Sequence, residues 1–478
     1  MSAGSSLSRK ILKAISIFGT VQVITMLCSV IRTKCVALWM GPAGIGLFAL
    51  LNQAVEMLSK VSELNIRESG VQAIVRQSGR RDFVSSVVSR LSLILGLSGA
   101  ILTLIFSPVL GKLTYGETGH TGVFVVLSLV VFLRVLISGK QSILQAHDKL
   151  KRLASASLWG NLAGTAISIV LFRLFGMSAI VPSILVFAVV TFLVYVGSNG
   201  NYSRQEITFK EILHESRPIV KLGAYMTVAA FISSLSSYLF LVWLRNYSSD
   251  DAVGYYQAGF TIISQYVGLM FAAISVEFYP RVTSVIHSRW RTSVYVRHEI
   301  NMLQWLIVGC VAIFQVMAAV IVRILYSDSF SDITPYLLIA AVGTSLRAYS
   351  IVLAYVILAR GDGKIYIITE TISSLLYLGL NISGYKLGGL AGAGIAYAVW
   401  YLAYAIIVTI VYRRRYQYTL TRNIYLLVTI VAVILLLETI ACYNHFNVAA
   451  IIIAIIIAAI SLTVVYRYYF HPYRKPCK

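Results

Sequence analysis

Between Leu12 and Glu63 two apolar arms, ILKAISIFGTVQVITMLCSVIRTKCVALWM and LFALLNQAVEMLSKVSE, flank the short stretch GPAGIG, and both carry ionisable groups far from their ends. Gln22, Thr25, Ser29 and Arg32 recur every three or four residues on the first arm, as do Gln53, Glu56, Lys60 and Glu63 on the second. That spacing puts each set along one side of a helix. Arg32 lies about 12 Å before the Gly41 turn, too deep for easy snorkelling, although the bland alternative has Arg32 and Lys34 reaching outer headgroups. Charges inside apolar spans normally face a protein interior or a water-filled path. Arg134, Ser138, Gln141 and Gln145 form another such stripe, and Gln257, Thr261 and Ser264 a third, with Glu277 and Pro280 beyond it. Arg347 falls in mid-span, and Glu370 sits with Tyr366, Thr369 and Ser373. An interhelical hydrogen bond accounts for any single Ser or Gln, but stripes on this many helices imply a shared interior.

The sign of that interior selects its ligand. Arg32, Lys34, Arg134 and Arg347 outnumber Glu56, Glu277 and Glu370, which favours an anion whose oxygens accept a guanidinium fork, such as phosphate or diphosphate. Arg134 and Arg347 equally suit ion pairing with Glu56 or Glu370, and the three carboxylates are candidates for coupling to protons or sodium. Enzyme signatures are absent: there is no GxxxxGK[ST] loop, Gly361-Asp-Gly-Lys364 being too short, and His298-Glu299 lacks a second zinc histidine. Cys28, Cys35, Cys310, Cys442 and Cys477 are scattered with no CxxC pair, so neither a disulfide framework nor a metal site is expected. The expectation is a transporter with no catalytic residue, no metal and no cofactor.

The setting is a membrane. The chain is 58% hydrophobic and only 12% charged, with mean hydropathy +0.81, whereas a soluble domain is about 25% charged. Its net charge of +22 is carried in short links between apolar spans, which explains it by topology and argues against nucleic acid. At about 20 residues per span, helices are predicted over 12–40, 44–62, 83–109, 121–146, 153–174, 178–198, 219–246, 252–280, 298–325, 334–360, 364–385, 388–412, 423–441 and 448–468. Alternating the links puts Arg76, Arg80, Arg81, Lys149, Lys151, Arg152, Arg289, Arg291, Arg413 and Arg414 on one side, which the positive-inside rule makes cytoplasmic, with both termini. The predicted fold class is therefore all-α integral membrane, with about 14 transmembrane helices in two six-helix bundles related by a pseudo-repeat around a central cavity, plus a C-terminal helix pair. The divisions are 1–199, a cytoplasmic linker 200–218, a second bundle 219–415, and a further two-helix segment with basic tail 416–478. Each half opens with a long helix, a short outer turn and a second helix, with Gly46 and Gly254 at matching places. Two facing bundles with a pathway between them are a common transporter plan. The Gly/Ala-rich stretch GGLAGAGIAYA at Gly388–Ala398 suits close helix packing, and the 30 tyrosines read as interfacial anchors.

GPAGIGLFALLNQ after a basic helix end, FLVWLRNYSSDDAVGYYQAGFTIISQY followed by SVEFYPRVT, and YVILARGDGKIYIITE together resemble the polysaccharide flippases of the Wzx type, over roughly residues 8–415. These belong to the multidrug/oligosaccharidyl-lipid/polysaccharide exporter superfamily. The resemblance implies alternating-access transfer of undecaprenyl-diphosphate-linked oligosaccharide repeat units, for O-antigen, capsule or a similar polymer, from the cytoplasmic to the periplasmic leaflet of a bacterial inner membrane. Other polysaccharide-assembly proteins would be its partners, beside membrane lipids. It also implies that Arg32, Lys34 and Arg245, at basic helix ends, meet the lipid diphosphate. The last pair of spans departs from the twelve-helix pattern and is similar to the fourteen-helix lipid II flippase branch. Two alternatives stand beside this reading: a multidrug/cation antiporter of the same superfamily, which needs an acidic or apolar pocket, and an integral-membrane polysaccharide polymerase or ligase, which needs a larger outer loop than any here.

Overall fold

A computed structural model describes residues 2–116, 118–198, 205–266, 271, 278–279, 281–444 and 447–470, and among these the regular structure is helical throughout. The helices are α1 (Ser2–Glu63), α2 (Ile66–Arg76), α3 (Arg81–Tyr115), α4 (Thr121–Ala146), α5 (Leu150–Phe175), α6 (Ile180–Gly197), α7 (Phe209–Tyr247), α8 (Asp250–Thr261), α9 (Arg289–Leu325), α10 (Thr334–Ala359), α11 (Gly363–Ile410), α12 (Arg422–Tyr443) and α13 (Asn447–Phe470). Among the described residues, ten stretches are long and apolar enough to cross a membrane, and three of them, Gly19–Arg76, Leu150–Gly197 and Gly363–Arg415, contain a break. Large aliphatic side chains stay exposed along them, for instance Leu97, Ile101 and Ile105 on α3 and Ile452, Ile455 and Ile456 on α13. Such faces are costly in water and matched to hydrocarbon. The protein is a multi-pass membrane protein.

The first break makes the predicted hairpin. Gly41 has φ +68 and ψ −162, a conformation that glycine adopts without a Cβ penalty, and Pro42 follows where a helix can begin. Arg32 and Phe48 are separated by about 24 Å along an unbroken helix, yet the Arg32 guanidinium lies 5.2 Å from the Phe48 ring centre. The second arm therefore runs back along the first. Gly388 and Gly389 break α11 in the same way, so that Trp400 donates to the Ser373 carbonyl at 2.9 Å across the reversal.

By packing, the chain forms two compact units, Met1–Val253 and Gly254–Lys478. The boundary lies beyond α7 because α7 is bound to the helices before it: Tyr238 and Thr114 share a hydrogen bond at 2.7 Å, and Gln53 donates to the Ser234 carbonyl at 3.4 Å. The sequence division at 200–218 follows the repeat, which packing does not address. Helix α7 also begins earlier than its apolar span, because Thr208 and Glu211 form a capping box. Helix α2 was not foreseen. Its apolar residues Ile66 and Ile74 are too few for a span, and they bury against Val84, Val88, Leu91, Ile143 and Ile219.

In the second unit α10 is the central helix: Tyr336, Leu337, Ala340, Ala348, Val352 and Val356 along it are all buried, whereas Ile452, Ile455 and Ile456 of α13 are exposed. Small residues let neighbours come this close. A Cβ on Gly394 would stand 3.0 Å from the Tyr336 carbonyl oxygen, and one on Gly392 only 2.0 Å from that of Gly384. Gly392→Val is accordingly expected to lose about 3 kcal/mol or more of stability through overpacking, read as a lower unfolding temperature in detergent. Gly388→Ala, which meets open space, is the control and leaves it nearly unchanged.

Candidate functional site

In the first unit the α1 hairpin and α4 bring their polar stripes together. The Arg32 guanidinium lies over the Phe48 and Phe187 rings, 5.2 and 4.6 Å from their centres, and its buried Nε has no hydrogen-bond partner among the described residues. Arg134 is near enough for its charge to act on Arg32, and Glu56 and Glu63 act in turn on Arg134. Glu63 accepts a hydrogen bond from Ser138 at 2.7 Å, and Lys60 bears on the same carboxylate. One turn further along α4, Gln141 donates to the Tyr195 hydroxyl at 3.0 Å. The spacing of the stripes thus has a direct structural counterpart. Two arginines close to each other, with one guanidinium nitrogen unsatisfied, are unfavourable unless counter-charge arrives. Glu56 and Glu63 bear on Arg134, while Arg32 keeps its unsatisfied Nε.

The other first-unit candidates have separate surroundings. Lys34 is half-buried beside Cys35, Gln22 is exposed on the first arm, and Gln53 is engaged with α7. Arg245 is committed differently. Its guanidinium pairs with both oxygens of Asp250, donates to the Thr114 carbonyl and lies 5.3 Å from the Tyr115 ring centre. This bidentate arrangement ties the ends of α7 and α3 to the first residue of α8, so in this conformation the fork is filled by protein.

In the second unit a cavity of about 260 Å³ gathers Arg347, Tyr355, Tyr366, Glu370, Tyr401 and Tyr404. The Arg347 guanidinium is 5.0 Å from the Phe271 ring centre and 5.7 Å from that of Tyr401, with long contacts of 3.4 Å to the Ser264 carbonyl and 3.5 Å to the Tyr397 hydroxyl. Glu370 accepts from Tyr404 at 2.6 Å. One chamber thus offers a cation, a carboxylate and aromatic faces, a set that can receive phosphate oxygens and sugar rings together. Gln257 donates to Thr261 within α8 at 3.2 Å. Glu277 lies outside the described residues. No cluster of His, Cys, Asp and Glu able to hold a metal ion occurs among the described residues.

The family model described as "Polysaccharide biosynthesis protein" matches residues 58–335, more than half of the chain. The chain belongs to this polysaccharide biosynthesis protein family. It is similar to the lipid III flippases of Escherichia coli (strain K12) and Shigella flexneri, each 22% identical over an alignment of 403 residues that covers 80% of this chain and 94% of theirs. Among solved structures, the lipid II flippase MurJ in its inward closed conformation superposes with a TM-score of 0.71 at 15% identity, over 95% of this chain and 99% of that one. An inward-facing multidrug resistance MATE family transporter of the MOP superfamily gives 0.67 at 18% identity, over 83% and 94%. These superpositions show a MurJ- and MATE-like transporter fold.

Within this polysaccharide biosynthesis protein, sequence reasoning missed two features. The tyrosines taken for interfacial anchors are in part core residues: Tyr256 hydrogen-bonds Tyr377 at 2.9 Å, and Tyr336 and Tyr397 are buried with it. Tyr397, Tyr401 and Tyr404 recur at helical spacing on the second arm of α11, a stripe that separates chamber-lining tyrosines from surface ones. Glu438 on α12 is the other. It is 0% exposed and neither carboxylate oxygen has a hydrogen-bond partner among the described residues. An unpartnered charge there is costly. Glu438→Gln is therefore expected to raise the unfolding temperature, worth about 1 kcal/mol or more, while Glu438→Lys prevents folding. A fall in unfolding temperature for the glutamine variant would mean that the carboxylate is held by something that the buried geometry lacks.

Proposed function

We propose that this protein is a flippase for a polyprenyl-diphosphate-linked oligosaccharide, moving the repeat unit from the cytoplasmic to the periplasmic leaflet of a bacterial inner membrane with both termini cytoplasmic. The observation that carries the reading is the Arg32–Arg134 pair, two guanidinium groups near enough to act on each other, with the buried Nε of Arg32 lacking a hydrogen-bond partner among the described residues. Family membership and the likeness to flippases support it. The diphosphate would engage Arg32 and Arg134, with Lys34, Gln22 and Gln53 on the same arms, and the Arg347 chamber of the second unit would be a substrate-contacting site in its own right. Gln257 and Arg245 belong to the proposal as contacts made in another state of the transport cycle, when Asp250 releases the Arg245 fork.

The energetics close without nucleotide hydrolysis. A doubly charged headgroup moving outward along an inside-negative potential of 100 mV gains roughly 4 to 5 kcal/mol. Glu56, Glu277 or Glu370 would couple protons or sodium where further drive is needed. O-antigen, capsule or a related polymer would be the destination of the product, and other assembly proteins its recipients.

The test is reconstitution in liposomes with a lipid-linked oligosaccharide whose leaflet is read by lectin or periodate access. Protein-dependent transfer without ATP supports the reading. Efflux of organic cations with no lipid transfer would instead establish an antiporter that uses the Glu370 tyrosine cage, and chain growth of the oligosaccharide would establish a polymerase.

A further inference from the structure

A second cavity lies in the first unit, apart from the Arg32–Arg134 cluster. It holds about 360 Å³ and is lined by Ser86, Ser89, Arg90, Ser92 and Leu93 of α3, Leu136, Lys140 and Ile143 of α4, Phe192 and Val196 of α6, and Gln205. No Asp or Glu is among these lining residues. Arg90 is exposed and Lys140 half-buried, so two cations share one opening. The backbone N–H of Gln205 donates to Ser86 Oγ at 3.2 Å, which closes the polar end of the cavity.

Depth identifies the ligand. Arg90 is about 13 Å along α3 from its start at Arg81, and Lys140 about 9 Å before the end of α4 at Ala146. These helix ends carry Arg80, Arg81, Lys149 and Arg152, the side that the charge bias makes cytoplasmic. Because α3 has 35 residues, about 52 Å and longer than a 30 Å hydrocarbon core, its first turns project into water. The two cations therefore stand near the headgroup level. Beyond them Leu93, Leu97 and Ile101, each four residues apart, continue one exposed aliphatic face of α3 into the membrane. Polar atoms at the interface and an apolar track leading inward match a phosphate carrying acyl chains, whereas a free anion has no use for the track.

We propose that this pocket binds an anionic glycerophospholipid of the cytoplasmic leaflet, its phosphate between Arg90 and Lys140 and its acyl chains along Leu93, Leu97 and Ile101. The site does not depend on the flippase reading. It holds α3, α4 and α6 together by a lipid, so leaflet composition would regulate the first unit.

The test uses full-length protein in phosphatidylcholine bilayers with or without phosphatidylglycerol, with retained lipid counted by native mass spectrometry. Wild-type protein should retain phosphatidylglycerol over phosphatidylcholine by about tenfold or more, and inorganic phosphate at the same concentration should not displace it. Arg90→Gln with Lys140→Gln should abolish the preference while phosphatidylcholine retention and helix content stay at wild-type levels. Arg90→Lys with Lys140→Arg should keep it. Unchanged preference in the glutamine double variant overturns the proposal. Displacement by inorganic phosphate overturns it in favour of a free-anion site.

Discussion

Arg32→Ala and Arg134→Ala are each expected to slow transfer of a lipid-linked oligosaccharide in proteoliposomes by roughly thirtyfold or more, since losing one partner of a desolvated charge contact costs about 2 kcal/mol at least. The two differ in their side effects. Arg32 touches aromatic rings and leaves its Nε unsatisfied, so its removal takes away the proposed ligand contact together with its contacts to Phe48 and Phe187. Arg134 also balances Glu56 and Glu63, so its loss leaves carboxylates without their counter-charge and should lower the unfolding temperature. Adding Glu63→Gln to Arg134→Ala should restore stability without restoring transport. Lysine at either position keeps the charge but not the planar fork, and transfer should fall between wild type and alanine. Wild-type rates in both alanine variants would remove the cluster from the mechanism.

The second large effect concerns the second-unit chamber. Arg347→Ala removes the guanidinium between Phe271 and Tyr401 and should lower transfer by a similar factor, roughly thirtyfold. Glu370→Gln keeps an amide oxygen able to accept from Tyr404, so folding should survive while the negative charge is lost. If Glu370 couples an ion, stimulation of transfer by an imposed proton or sodium gradient disappears in this variant while ungradiented exchange continues. Stimulation that persists at full size assigns coupling elsewhere.

Much of this arrangement is legible in the residues themselves. The turn at Gly41 is readable because a glycine followed by proline interrupts two apolar arms, and the α4 stripe because Arg134, Ser138 and Gln141 are spaced for one helix face. Arg347 and Glu370 are both visible as charges in apolar spans, yet their sharing of one cavity needs the long-range packing of α10 on both arms of α11. Three features resist sequence reading for physical reasons. Helix α2 is too short and too polar for a hydropathy window, and only its tertiary contacts show which side is buried. The bidentate hold of Asp250 on Arg245 depends on how one turn folds back, which residue types do not specify. Tyrosine suits both an interface and a hydrogen-bonded core, so composition cannot divide Tyr256 and Tyr397 from exposed Tyr247 and Tyr466.

In the proposed flippase, guanidinium groups recognise a lipid diphosphate. The most direct test is equilibrium binding of one oligosaccharide on two carriers, a polyprenyl diphosphate and an uncharged polyprenyl lipid, to wild-type protein and to the Arg32→Gln, Arg134→Gln double variant in nanodiscs. The diphosphate carrier should bind wild type about tenfold tighter or more, a gap that shrinks with added salt and closes in the double variant. Equal affinity for the two carriers, or a preference that the double variant retains, would contradict the account.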